Sequence, residues 1–270
     1  MPVWYRAVRK HLLVYALCLR NSLIAELEYR VNFVAGIAVE CGYLLAKMLF
    51  VVVIYRSGVR IGGLSPDATL LCIGTYVIMT GLYMGLFAVG FGRLQASVRD
   101  GSLDALIVKP VSLQFIATLC RVDFGMPIPN LTAGITLVIV GWCRAGVPCT
   151  PLHSVGYLIF IVCGVALTYA LFLLPSLITF WTVKAGAATH CAASLWDFNN
   201  LPMYLYGNWA QRLGTFLIPV FVITNFAPLF VLGRLQWYYV AWGLAVPLLA
   251  LLVCRSLWSV AIRRYTSASS

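Results

Sequence analysis

Charge is what this chain has least of. Asp, Glu, Lys and Arg make up 10% of its 270 residues, where a soluble surface needs roughly a quarter, so a water-facing globule is excluded. A nucleotide-binding loop is missing as well. Such a loop ends in Gly-Lys-Ser/Thr, because backbone N–H groups and the lysine together hold the phosphates, and the lysines here, Lys10, Lys47, Lys109 and Lys184, follow Arg, Ala, Val and Val. There is no HExxH, no GxSxG and no Ser/His/Asp set, so no catalytic residue is expected. His11, His153 and His190 lie far apart and the nine cysteines include no CxxC pair, so no metal site is expected either. Most of the cysteines read as small apolar fillers. Cys143 and Cys149 share a short polar loop, where a bridge is an open option.

What is abundant is apolar: 62% of residues are hydrophobic and the mean hydropathy is +0.93. The apolar residues come in runs near the ~20 that a helix needs to cross a ~30 Å hydrocarbon core, not in the ten-residue alternating strands of a membrane barrel. The expected fold class is therefore an all-α polytopic membrane protein. The net charge of +11 does not point to nucleic acid, because the basic residues sit at the ends of apolar runs rather than in one cluster with aromatics. No cleavable leader is expected, since Arg6, Arg9, Lys10, Arg20 and Glu26 interrupt the apolar residues near the N-terminus.

Residues 1–29 are too charged to span and read as an interfacial amphipathic helix. Spans are expected at 31–55, 68–91, 113–142 and 151–183, with a last one at 237–260. Pro127 and Pro129 predict a break or kink in the third. Residues 185–206 are only moderately apolar, and the apolar run that follows holds Pro219 and Pro228. In the second span Gly81, Gly85, Ala88 and Gly92 form a small-residue seam that allows close helix approach.

Two sets of polar residues carry the functional argument. Inside the bilayer, Glu40 and Lys47 are seven residues apart on one helix face, about 10 Å along the axis, and must face the bundle or a cavity. They belong to a substrate path or to structural pairing with another helix. Asp197, Asn199 and Asn200 pose the same choice: an acid in a cavity favours cationic substrates, and the same residues can cap a helix end. The second set is the stretch Val98–Ser112, VRDGSLDALIVKPVS. Asp100, Gly101 and Ser102 can end one helix and cap the next, Leu103, Leu106 and Ile107 form an apolar stripe at helical spacing, and Pro110 closes the segment. A short exposed amphipathic helix of this kind is something a partner's groove can grip.

This stretch resembles the loop between the second and third helices in a branch of the type-2 ABC exporter permeases, through Arg99, Gly101, Leu103, Leu106, Lys109 and Pro110. The resemblance implies that residues 93–112 form a cytoplasmic coupling loop, with Arg99, Asp100, Gly101, Leu103, Leu106, Lys109 and Pro110 on a separate ATPase. It also implies six transmembrane helices, with 185–206 as the fifth and 208–233 as a re-entrant hairpin before the sixth; the order Pro202, Tyr206, Trp209, Pro219, Pro228, Arg234 carries that part. An alternative makes 209–232 the fifth span. With the six-helix arrangement and both termini inside, thirteen of the nineteen Lys and Arg fall inside and five outside, as the positive-inside rule requires.

The expected function is then the permease subunit of an ATP-driven exporter in the bacterial cytoplasmic (inner) membrane. Two ATPase subunits would hold ATP and Mg, and a second permease, identical or homologous, would complete the path. This chain needs no cofactor of its own. Members of this branch are linked to efflux of small cationic toxic compounds such as viologens; a lipid or glycolipid exporter is the alternative. A rival of another class is a membrane-embedded lipid-modifying enzyme with Asp100, Asp104 and Asp123 on a metal.

Overall fold

The computed structural model describes residues 3–58, 60–182 and 186–265, so Lys184 and the Ser-rich tail lie outside the described residues. Among the described residues every regular element is helical, and the nearest approach to a sheet is one antiparallel bridge between Ile61 and Leu64.

Helix α1, Val3–Glu28, has an outward face carrying Leu13, Leu17, Ile24 and Leu27, with Arg20 among them. The spacing of three, four and seven is that of one helix face. Its inward side mixes Val14 and Leu19 with Tyr15, Ser22 and Glu26, and Cys18 lies against Cys120 with 5.1 Å between Cα atoms. Tyr29 (φ −98°, ψ 57°) breaks the helix before α2, Arg30–Ser57, which ends at Gly58 in the left-handed conformation that glycine adopts without strain. In α3, Pro66–Asp100, the start is fixed by Ser65, whose Oγ accepts from the Ala68 N–H at 3.2 Å, with Pro66 in the first turn. The loop expected from residue 93 is thus helical as far as Asp100. Short helices α4, Asp104–Ile107, and α5, Leu113–Leu119, lead to α6, Pro127–Arg144.

The span expected over 113–142 is therefore two helices, and the prolines start the second one rather than kinking a continuous one. The chain between them presents amide N–H groups that no helix satisfies, and four of them find a neighbour. The Val122 N–H donates to Ser22 Oγ at 3.3 Å, the Phe124 N–H to Glu26 Oε1 at 2.9 Å, and the Met126 N–H to Asp123 Oδ1 at 3.0 Å. The fourth partner comes from α3, where Met84–Ala88 form a π-helical turn and the Gly85 carbonyl accepts from the Asp123 N–H at 3.1 Å. Such a bulge is what lets irregular backbone lie inside a membrane bundle.

The same bulge changes the small-residue seam. α3 and α6 approach so closely that a Cβ at Gly74 would meet the Val138 backbone at 2.8 Å, and one at Gly134 the Ile78 backbone at 2.8 Å. Gly85 sits on Pro127, so the seam joins helices of one chain. Beyond the bulge the register shifts: Gly90 contacts the Thr118 carbonyl, while Gly92, expected in the seam, faces open space.

Thr150 caps α7, Pro151–Phe180. The helix expected over 185–206 is instead the 12-residue α8, Gly186–Asp197, followed by 3-10 turns at Phe198–Asn200 and Met203–Leu205. It stops because Leu201 precedes Pro202, which disfavours the helical conformation, and Leu201 is extended (φ −128°, ψ 152°). Next, α9, Asn208–Leu217, and α10, Val220–Val231, meet at 102° with Ile218 and Pro219 at the vertex. Residues Val220 to Leu229 are buried all round, against α7 and α3. The last helix is α11, Trp237–Arg264. Among the described residues four helices are long and apolar enough to cross a membrane, or five with the bent pair as one.

The bundle has two distinct ends. At one, α1 is tied to residues 120–124, and Tyr265, just past α11, donates its hydroxyl to the Gly101 carbonyl at 3.3 Å. At the other, Arg234 donates to the Gly63 carbonyl at 3.4 Å, Tyr204 lies on Gly62, and the Arg144 guanidinium is 5.8 Å from the Tyr55 ring centroid. The N-terminal helix, the Gly101 loop and the end of the last helix thus share one end, with Gly146 at the opposite one.

Candidate functional site

The intramembrane charges of α2 open onto a cavity of about 690 Å³ between α2, α3, α6 and the end of α8. Glu40 is 7% exposed and accepts from Asn130 Nδ2 at 2.9 Å. Asn130 stands in the first turn after the proline break, and its amide also donates to the Met126 carbonyl at 3.1 Å. One face of α2 carries both charges but they do not meet each other. Lys47 instead donates its ammonium to Asn200 Oδ1 and lies 4.6 Å from the Tyr76 ring centroid, a cation–π contact. Each charge is therefore held by a neutral amide from another helix, which offsets the cost of removing it from water.

Asp197 closes the opposite wall; it is exposed, and its charge acts on both Lys47 and Tyr76. The remaining wall is aromatic. Trp196 is buried, 6.1 Å from Tyr76 and 5.5 Å from Tyr83, and Tyr83 stacks on Phe172 at 4.0 Å. These rings lock the end of α8 onto α3 and α7, so Asp197 and Asn200 are presented from a rigid edge. A cavity with apolar and aromatic walls, one open carboxylate and a paired ammonium can hold a small amphiphile by its rings and orient its charge.

Of the five residues expected on a substrate path, four line this cavity: Glu40, Lys47, Asp197 and Asn200. Asn199 does not. It is buried, donating from Nδ2 to the Trp196 carbonyl at 3.2 Å and accepting from Thr224 Oγ1 at 2.7 Å, so it fastens the 3-10 turn to α10. Asn130, Tyr76 and Trp196 escaped the sequence reading. For Asn130 a signal existed, since an amide inside an apolar run at membrane depth needs a partner; the two aromatics look like any core residue.

The loop at 98–112 is only partly what its pattern suggests. Gly101, at φ 76°, ends α3, and Asp100 Oδ1 accepts from the Ser102 N–H at 3.0 Å and its hydroxyl at 2.7 Å. The helix that follows is a single turn, α4. Leu103, expected on the docking stripe, is 0% exposed within the chain's own core, and Leu106 packs partly against that core. What the loop offers outward is Ile107 and Val108, 82% exposed at Val108, beside Lys109 and Pro110. The stripe turned inward because the chain folds back at Gly101, where the Leu103 N–H donates to the Ser97 carbonyl of α3 at 3.2 Å. Arg99 is exposed at the end of α3.

Asp100, Asp104 and Asp123 do not form a metal centre: among the described residues no group of three His, Cys, Asp or Glu side chains could hold an ion, and Asp123 is engaged with the Met126 N–H. Cys143 and Cys149 are both free and exposed. In comparison with known proteins, the family model described as ABC-2 family transporter protein aligns with residues 41–269. No curated protein and no solved structure matches the chain.

Proposed function

Because the chain belongs to the ABC-2 transporter family, we propose that this permease subunit works in an exporter and moves small cationic or amphiphilic compounds through the Glu40–Lys47–Asp197 cavity. The observation that carries the reading is the cavity itself: about 690 Å³ with an aromatic wall and an open carboxylate fits the 300–1,000 Å³ range of sites for drug-sized molecules.

The energy comes from an ABC ATPase at the end that carries Ile107 and Val108, since the sequence has no phosphate loop of its own. That end is the cytoplasmic one, with both termini inside, and the membrane is the bacterial cytoplasmic membrane. The bent pair α9–α10 is a re-entrant hairpin, as its 102° vertex suits. A second permease lies over α2, of whose 28 residues only Glu40 and Ile54 are buried, giving an assembly of two permeases and two ATPases.

The test is efflux of a lipophilic cation, such as ethidium, from cells expressing the chain with its ATPase. Asp197→Asn removes the one open carboxylate of the cavity and is expected to raise the KM about tenfold with little change in complex assembly. Transport of the cation by Asp197→Asn with unchanged KM would place the substrate path elsewhere.

A further inference from the structure

A second cavity, of about 360 Å³, lies at the other polar level of the molecule, between the inward face of α1, the end of α3, the loop and α5. Its lining holds Arg93, Lys109 and Arg121, the neutral donors Asn21, Ser97 and Ser102, and no acidic residue. None of the three cations has a hydrogen bond or an ion pair among the described residues. Arg93 also lies close enough for its charge to act on Arg121. The nearby acids accept hydrogen bonds from other groups, Asp100 from Ser102, Glu26 from Phe124 and Asp123 from Met126, while Asp104 lies beside Tyr265, and none of the four lines the cavity. All three are exposed, and like charges gathered around a cavity whose lining holds no acid draw an anion into it.

The depth of this cavity identifies the anion. On α1 Leu13, Leu17, Ile24 and Leu27 face outward with Arg20 among them, while Cys18, Asn21 and Ser22 line the cavity. A helix of that kind lies at the boundary between headgroups and acyl chains, which puts Arg93 and Arg121 where lipid phosphates are. Paired guanidiniums suit phosphate oxygens, each able to donate two parallel bonds. We propose that the Arg93–Lys109–Arg121 cavity binds a phosphate group carrying net negative charge, that of an anionic phospholipid headgroup or of a soluble phosphate. The proposal rests on α1 lying in the membrane interface and needs neither export nor the ATPase.

The experiment uses the full chain purified in mild detergent, supplied with equal phosphatidylglycerol and phosphatidylcholine, with retained lipid counted by native mass spectrometry. Wild type is expected to keep phosphatidylglycerol at least about tenfold better than phosphatidylcholine, and Arg93→Gln/Arg121→Gln to lose that preference. Arg93→Lys/Arg121→Lys, which keeps the charge, should retain most of it, and Arg60→Gln, at the opposite end, all of it; together they separate lost binding from lost folding. If inorganic phosphate binds the wild type and displaces the lipid, the occupant is a soluble phosphate; if it does not displace it, the occupant is the lipid. Equal retention of the two lipids together with no binding of inorganic phosphate would overturn the proposal, as would a double Gln variant that binds like wild type. Because neither transport nor ATP hydrolysis is read, this outcome is independent of the export reading.

Discussion

The two cavities hold their charges in opposite ways. At membrane depth Glu40 and Lys47 are each matched by an amide, from Asn130 and Asn200, and only Asp197 stays open. At the level of α1, Arg93, Lys109 and Arg121 gather with no acid in the lining. The difference follows from the surroundings. In hydrocarbon no solvent can satisfy an ion, so the protein must supply the partner itself. In the interface water and lipid phosphates are at hand, and cations can wait for a ligand. Internal matching therefore marks a permanent fixture; Asp197, which acts on Lys47 through its charge without a hydrogen bond to it, is the part of the first cavity open to a ligand, and the three cations are the part of the second proposed to hold one.

The largest effect that would sharpen this contrast lies at the loop, where exposed and buried leucine-type residues should behave differently. Ile107→Asp is expected to abolish co-purification with the ATPase while the chain still runs at its native size, since a charge pressed into a partner's groove costs several kcal/mol, roughly a thousandfold or more in affinity. Leu103→Ala should do the reverse, losing about 2–5 kcal/mol of stability through a core cavity with the contact surface intact. If Ile107→Asp leaves the complex whole, the ATPase docks elsewhere.

Next in size is Asn130→Leu, which strands the buried Glu40. A loss of about 3 kcal/mol in unfolding free energy is expected, and Glu40→Leu added to it should recover most of that, because the uncompensated charge is gone. Additive losses in that double variant would mean that the amide does not serve the carboxylate. A smaller change is expected for Lys47→Met, which frees Asp197 from its competing cation; the KM for a cationic substrate should fall by about threefold to tenfold, read from substrate-stimulated ATP hydrolysis of the assembled complex. A higher KM would make Lys47 a substrate contact.

The smallest effect concerns Glu26, on α1 beside the second cavity. Burial raises its pKa first of all, aided by Asp123 and opposed by the N–H groups of Phe124 and Gly125. The folded chain therefore holds this proton to higher pH than the unfolded one, and stability declines as pH rises from the ordinary carboxylate range through the folded pKa. Glu26→Gln, which can keep the bond from Phe124, should flatten that decline and leave the variant at least as stable at neutral pH. Thermal melting between pH 4 and 8 measures it; a steeper slope in the variant would assign the pH dependence to another group.

Much of the cavity at membrane depth was legible beforehand because charges in apolar runs are costly and few. Glu40 and Lys47 stand out in any hydropathy reading, and their sevenfold spacing already puts them on one face. Asn199 and Asn200, adjacent in sequence, could not be told apart, since one residue of rotation in a 3-10 turn sends Asn200 to Lys47 and Asn199 to Thr224. Leu103 was misread for a similar reason: periodicity finds an apolar face but does not say whether the chain itself or a partner covers it. The cations of the second cavity come from three separate segments, and no local pattern links Arg93 to Arg121.

By itself, the sequence determined the membrane class, a break or kink at Pro127 and Pro129, and the places where charge must be buried. These follow from the cost of exposing polar groups to hydrocarbon, which acts residue by residue. Tertiary structure alone decided that α10 is buried all round while α2, also apolar enough to cross a membrane, is bare on most of its surface. It also decided that the break is closed by Ser22, Glu26 and the Gly85 carbonyl, and that Cys18 lies against Cys120 rather than Cys143 against Cys149. Hydropathy measures only the wish to leave water, and lipid and protein interior satisfy it equally, so which of the two a helix meets depends on how the helices pack.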